Sequence, residues 1–430
     1  MPNQQKLANP FYILLSLPST AMGFALCVQI SALSWILSTK YSLSIEHVGY
    51  VWLAGPLAGL LAQPIVGLIS DKVWFWGGRR RPFILIGGVT ASLMLLALPF
   101  LGEISSWTGV EILWTAVAVA LTLDLAINVG FNPTRSIIAD LTPEGEARTK
   151  GFTWMQTISG MFGVLAYIIG AVFGNYALIY FGVGLVLLFN VVPAFLLKEP
   201  RELGAASEVS SGPAVKSGRT NIPRLLHIYL AHAFTWLGVQ TMFVFMFAYA
   251  QHALFPGTAE LDEAQKMSLG QVISISFLIM NVIGFVLPVA VLQPAAKKLG
   301  LVRTHTICIF LMALGYAGII FFGTTATTLY TLMAVVGIGW AAVVSLPFAI
   351  MSDSVDKARM GLFMGIFNLS VVIPQIIVSL FIGKMIGAAA DKSITFVVCA
   401  VSLAISAVLW ALLREDKAEP GEITMGAGGH

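Results

Sequence analysis

Apolar runs of about twenty residues, separated by short polar connections, recur along the whole chain. That is the length a helix needs to cross a ~30 Å hydrocarbon core. The pattern predicts spans over residues 11–38, 48–70, 82–102, 110–139, 151–173 and 175–197, then 224–250, 269–293, 303–323, 326–351, 361–387 and 393–413. Backbone polar groups in lipid must be satisfied within their own segment, so these runs are read as helices. The alternating ten-residue strands of a membrane barrel are not seen. A polar stretch over 198–223, rich in Gly, Ser, Glu and Lys, divides the series in two. The expected organisation is a six-helix bundle over 1–197, a linker over 198–223, a second six-helix bundle over 224–414 and a polar tail over 415–430. The fold class is all-α and polytopic, with 12 transmembrane helices in two halves.

Composition agrees with the pattern. Of 430 residues, 57% are hydrophobic and 10% charged, against roughly 25% charged in a typical soluble domain. Charge then orients the chain. Of the 24 Lys and Arg, Lys40, Lys266, Lys384 and Lys392 fall on the face of the odd-numbered connections, and Arg135 lies within a span. The others sit in the even-numbered connections and the two termini, which predicts that this face is cytoplasmic. Cys27, Cys308 and Cys399 all fall in apolar spans, without metal-ligand or disulfide spacing, and read as small core residues. No cleavable signal is recognised, since residues 1–9 are polar and the first apolar run is too long for a signal core. The halves also echo each other. Pro133-Thr134-Arg135, Ala139-Asp140 and Ala147-Arg148 after span four match Pro347-Phe348, Ser352-Asp353 and Ala358-Arg359 after span ten, with one short gap. Parallel repeats about an axis along the membrane normal leave such a trace.

Among 21 Asp and Glu, all but Asp124 fall in loops, tails or helix ends. Asp124 lies near the middle of span four, where an acid costs ~2.5–3.5 kcal/mol on insertion scales and usually faces a cavity or a proton path. Taking a carboxylate out of water favours its neutral acid, which suits a proton carrier. A structural acid bonded to a neighbouring helix is the plainer alternative. Asn128 and Arg135 share a face with Asp124 to within about 40°, at ~100° per residue. Arg135 stands roughly 16 Å further along the helix, so it either lines the cavity or snorkels to the headgroups. Between spans two and three, Gly67 and Asp71 precede Arg79, Arg80, Arg81 and Pro82. They are expected to form, with Asp140 and Arg148, an ion-paired cytoplasmic gate rather than a plain positive-inside cluster. Span eleven carries Asn368 and Gln375, seven apart on one face. These uncharged amides suit a hydroxyl-rich neutral substrate. Gln63, Gln156, Gln240 and Asn281 can join them, with Trp236 as a flat surface for a sugar ring. For each singly, an interhelical hydrogen bond explains the residue equally well.

Four stretches together resemble the plant-type sucrose transporters and their bacterial α-glucoside relatives, within the glycoside–pentoside–hexuronide cation symporters of the major facilitator superfamily. They are Trp52-Leu53-Ala54-Gly55-Pro56 with Gly59-Leu60 and Gln63-Pro64-Ile65-Val66-Gly67; Ser70-Asp71-Lys72 with Gly78-Arg79-Arg80-Arg81-Pro82-Phe83; Leu123-Asp124, Asn128, Arg135 and Ala139-Asp140-Leu141; and Ser345-Leu346-Pro347-Phe348-Ala349 with Gly365, Asn368-Leu369 and Val372 through Ser379. The resemblance implies a major facilitator fold and proton-coupled sugar uptake, with Asp124 matching the protonatable aspartate and Arg135 the span-four arginine. The chain departs from the family around Cys27, Val28 and Gln29, and in lacking charges inside spans seven and eight.

The expectation is a monomeric symporter in the cell membrane, both termini cytoplasmic, importing a neutral α-glucoside such as maltose or sucrose by alternating access. A proton-driven antiporter exporting an amphipathic compound is the rival, which Asn128, Asn368 and Gln375 disfavour. Sodium coupling generally wants more than one acid at the site. No nucleophile–base pair, metal cluster or nucleotide loop is recognised, so neither an enzyme, a cofactor nor a nucleic-acid partner is expected. The coupling ion is the proton, and the surroundings are the lipid bilayer.

Overall fold

The computed structural model describes residues 7–60, 69, 73–143, 146–199, 220–258, 260–352, 354–355 and 360–414. Among them every regular element is helical, and eleven helices are long and apolar enough to cross a membrane. The span expected over 48–70 is described only in its first part, as α2 (Ile45–Trp52) and a helical turn over residues 54–60, here α3.

The remaining spans of the first half are α1 (Asn9–Thr39), span three built from α4 (Arg81–Ala97) and α5 (Leu101–Thr108), α6 (Ile112–Leu141), α7 (Glu146–Phe173) and α8 (Asn175–Leu196). Those of the second half begin with α9 (Ile222–Leu254). Span eight follows, from α10 (Glu263–Leu287) through a π-helical turn at Pro288–Leu292 to α11 (Gln293–Leu299). Next come α12 (Leu301–Phe322), span ten as α13 (Ala326–Ser345) and α14 (Pro347–Ser352), and span eleven as α15 (Met360–Ile377), a π-helical turn at Val378–Ile382 and α16 (Gly383–Ala388). The last is α17 (Ile394–Leu412).

Helix ends run past the apolar windows where polar residues can hold them. α10 starts at Glu263, not near 269, because Asp262 and Gln265 close a reciprocal capping box, Asp262 accepting from the Gln265 N–H at 2.8 Å. Lys297 and Lys298 in the last turn of α11 complement its dipole. α1 passes through Pro18 without breaking; nearby, the Ser16 and Thr20 hydroxyls donate to the Tyr12 and Ser16 carbonyls at 2.7 and 2.9 Å.

The chain divides into two compact units, Met1–Ser42 with Ala54–Ser211, and Leu43–Leu53 with Gly212–His430. α2 therefore packs with the second unit, although it begins span two. Within the first unit α1 packs on α7 and α8, and α4 on α6 and α8. Within the second, α9 packs on α15 and α17, and α12 on α13 and α17. The two schemes are the same: span one to five and six, and three to four and six, repeat as seven to eleven and twelve, and nine to ten and twelve. Each half is built on one plan, as the sequence echo implies.

Candidate functional site

In the first unit Asp124 is 4% exposed, in the middle of α6. Its Oδ2 accepts a hydrogen bond of 3.0 Å from Nε2 of Gln29 on α1, itself buried. Across from it, α3 presents Gly55 and Gly59. A Cβ at Gly55 would stand 3.5 Å from both carboxylate oxygens, and one at Gly59 3.7 Å from Oδ1 of Asn128. Glycine at both positions lets the α3 backbone approach the polar face of α6 without a side chain covering it. Asn128 donates through Nδ2 to the Asp124 carbonyl at 2.8 Å, so part of its amide is used on its own helix.

Arg135 is placed apart from this pair. Its guanidinium lies 5.2 Å from the centre of the Phe131 ring, one turn back on α6, and its buried Nε has no hydrogen-bond partner. Asp124 and Arg135 thus share a helix without pairing. Gln156 on α7 is half-buried and makes no hydrogen bond to a described residue. Gln63, Gly67 and Asp71 lie outside the described residues.

The basic end of the first unit is tied together by contacts among the described residues. Arg80 Nε and Arg79 Nη2 reach the Asp140 carboxylate at 3.1 and 3.5 Å. Glu199, just after α8, accepts from the backbone N–H groups of Arg79, Arg80 and Arg81 at 2.8, 3.0 and 2.7 Å. An anion on the first free N–H groups of α4 complements both their hydrogen bonding and the helix dipole. Gly78 leaves room beside it: a Cβ there would meet the Glu199 carboxylate, which would have to shift. Arg81 turns to the Ala194 and Gly77 carbonyls, and Arg148 to those of Ala139 and Thr142 at 3.1 and 3.3 Å. Below them Leu15, Ile84, Ile137, Ile138, Met155 and Leu197 form a buried apolar cluster.

The second unit gathers a different set. The Trp236 indole donates through Nε1 to His232 Nε2 at 2.9 Å. The imidazole stacks on Phe367, centroids 4.6 Å apart and planes 14° from parallel. Trp340 on span ten stands edge-on to Trp236 and Phe243, at 6.4 and 5.4 Å. Next to this aromatic wall Gln375 Nε2 donates to Gln240 Oε1 at 3.3 Å. Asn281 spends its donor on the Phe277 carbonyl at 2.9 Å. Asn368 is half-buried with no hydrogen bond to a described residue. Trp236, Gln240 and Gln375 are therefore brought together in this unit.

At the other end of the second unit α2 meets span eleven. A Cβ on Gly49 would stand 2.8 Å from the Ser379 carbonyl, in the π-helical turn. Glu46 pairs with Lys384 at 3.7 Å and accepts from the Tyr50 hydroxyl. That hydroxyl bond, with a smaller contribution from Lys384, holds the Glu46 carboxyl below its usual range.

Sequence reasoning missed Gln29 as a partner, along with His232, Trp340 and Glu199. Gln29 carried a signal as a lone amide in an apolar span, and His232 as the one imidazole four residues from Trp236 on a helix.

The family model of the Major Facilitator Superfamily matches residues 15–379, and again 295–427. The chain belongs to the major facilitator superfamily. It is a multi-pass membrane protein of a transporter family. It is 27% identical to the sucrose transport protein SUC4 of Arabidopsis thaliana over 434 residues, covering 85% of this chain and 82% of that protein. It is also 27% identical to the sucrose transport protein SUT2 of Oryza sativa subsp. indica over 438 residues, covering 86% of each. A shorter match, 29% identical over 189 residues and 40% of this chain, covers 34% of the general alpha-glucoside permease of Schizosaccharomyces pombe. Two solved structures share the fold. The nucleoside transporter NupG has a TM-score of 0.70 at 12% identity, covering 94% of this chain and 98% of that one. The inward-open xylose transporter XylE from E. coli has a TM-score of 0.66 at 14% identity, covering 95% and 97%.

Proposed function

We propose that this protein is a proton-coupled sugar symporter of the cell membrane, importing a neutral α-glucoside disaccharide such as maltose or sucrose by alternating access. The observation that carries the reading is Asp124, a buried mid-span carboxyl whose hydrogen-bonded partner is the neutral amide of Gln29 rather than a cation. A buried ion pair holds its charges, whereas a carboxyl bonded to an amide can be both ionised and neutral. The names of the sequence relatives support a sugar as cargo, and the paired amides and indoles of the second unit suit hydroxyls and a ring face. Asp124 takes a proton from outside, the sugar binds, and both are released to the cytoplasm. Each proton crossing down the membrane potential supplies ~2.3 kcal/mol per 100 mV. The termini and the Arg79–Arg81 cluster lie on the cytoplasmic side, as the distribution of Lys and Arg supports.

The test is the external pH of a lightly buffered suspension of expressing cells on adding maltose, sucrose or glucose in turn. Sugar-specific alkalinisation, absent in the Asp124→Asn variant, is expected. Protein in the membrane without alkalinisation by any glucoside overturns the reading in favour of the antiporter or another cargo.

A further inference from the structure

We infer that Gln29 is the positioning residue of the proton site: its side-chain amide sets how tightly Asp124 holds a proton and keeps the carboxyl bonded in both of its states. The inference deepens the proton-coupled reading and rests on it for its role in transport. Its geometric basis is independent of the cargo.

Among the described residues Gln29 is the side chain that bonds the Asp124 carboxyl, across 95 positions of sequence. The α3 backbone also lies against the carboxyl, at Gly55, which offers no polar side chain. The elements packed on α6 are α1, α4, α5 and α7, and their charges lie at their ends. Neither α1 nor residues 54–60 carry any charge. The charges on α4 and α5 are Arg81 in the first turn and Glu103, and those on α7 are Glu146, Arg148 and Lys150 near its start. On α6 itself Arg135 is eleven residues away and stacks on Phe131, and Asp140 pairs with Arg79 and Arg80. The titratable neutral groups on these helices are Tyr12, Cys27 and Tyr167, and the last two bond each other. Among the described residues an amide donor is thus the polar group left to balance the carboxylate.

An amide does what a cation cannot. It carries two N–H donors and a carbonyl acceptor. When Asp124 is ionised, Nε2 donates to Oδ2. When Asp124 is neutral, its O–H donates to Oε1 once the amide has turned over. One side chain therefore follows the proton by rotation, with no buried charge added and no hydrogen bond lost. Removing the donor disfavours the anion, so the proton is held more tightly.

Carbodiimide labelling of the purified protein reads this without transport. A neutral buried acid gives its proton to a carbodiimide nitrogen while its oxygen adds to the central carbon, so labelling at Asp124, located by mass spectrometry, follows its protonation against pH. In Gln29→Leu the labelling midpoint is expected about one pH unit higher, an approximately tenfold tighter proton, the size of a lost hydrogen bond to a charged group. Should that variant not fold, Gln29→Glu keeps size and polarity. Its carboxyl pair shares one proton, and labelling of the pair persists to still higher pH. The sugar-dependent uptake profile in cells should move in the same sense. An unchanged midpoint in a folded variant overturns the inference, as does wild-type protein in which Asp124 labels at no pH. Failure of proton symport shows separately, as wild-type cells that do not alkalinise while the labelling shift still appears.

Discussion

The same helix crossings are filled differently in the two units. In the first, span one reaches span four through Gln29 and Asp124, and Gly55 of span two lies against that carboxylate. In the second, span seven reaches span ten through Trp236 and Phe243 on Trp340, and Gly284 of span eight lies against that indole, where a Cβ would stand 2.7 Å away. A glycine on one helix, facing a large or charged side chain on its neighbour, is thus repeated, while the side chain changes from an acid to an aromatic. One backbone plan carries either chemistry, and the protein has placed a group that can change charge in one half and flat apolar rings with amides in the other. On the proposed function this is a division between coupling and binding. Under that proposal the first unit handles the proton and the second offers the surface that recognises the sugar.

Substitutions in the second unit should then change affinity and leave coupling alone. Trp236→Ala removes the ring face and is expected to raise the KM for sugar about tenfold, ~1.4 kcal/mol of binding. The external pH giving half-maximal uptake should stay where it is in the wild type. A shifted pH profile would break the division. His232→Leu takes away the acceptor of the Trp236 N–H, an unpaired buried donor costing ~1–3 kcal/mol. A KM rise of about fivefold is expected, with pH dependence unaltered. His232 is a titratable group in direct contact with Trp236 and Phe367, so a pH profile that followed this substitution would move part of the coupling into the second unit. Glu46→Gln, at the exposed pair with Lys384, should change uptake less than about twofold, since such pairs contribute little in water. Its acid sits below the usual carboxylate range. The charged pair is therefore complete above that range and is lost only as pH falls through the lowered value, so the small effect should be uniform between pH 5 and 8 in uptake assays.

The spans were legible because lipid demands long apolar runs, and little else writes that pattern. Asp124 was legible for the converse reason, a lone acid in an apolar run. What sequence did not yield is who faces whom. Gln29 and Asp124 are 95 residues apart, Glu199 and the N–H groups of Arg79–Arg81 about 120. Such pairs are made by packing, and no local spacing encodes them. Helix ends fall between these cases. The Asp262 and Gln265 capping box is readable from sequence, but a window of hydropathy passes over it and starts span eight six residues late. Asn128 and Asn281 show the limit of counting polar residues on a face, since each turns its donor back to the carbonyl four residues earlier.

The division between a proton-handling unit and a sugar-binding one is tested most directly by comparing two rates for Asp124→Asn protein in sealed vesicles. One is exchange of labelled for unlabelled sugar, and the other is accumulation against a pH gradient. Exchange should continue near the wild-type rate while accumulation falls to nothing, because the sugar surface is intact and the proton site is gone. Accumulation persisting in that variant, or exchange lost along with it in folded protein, would contradict the account.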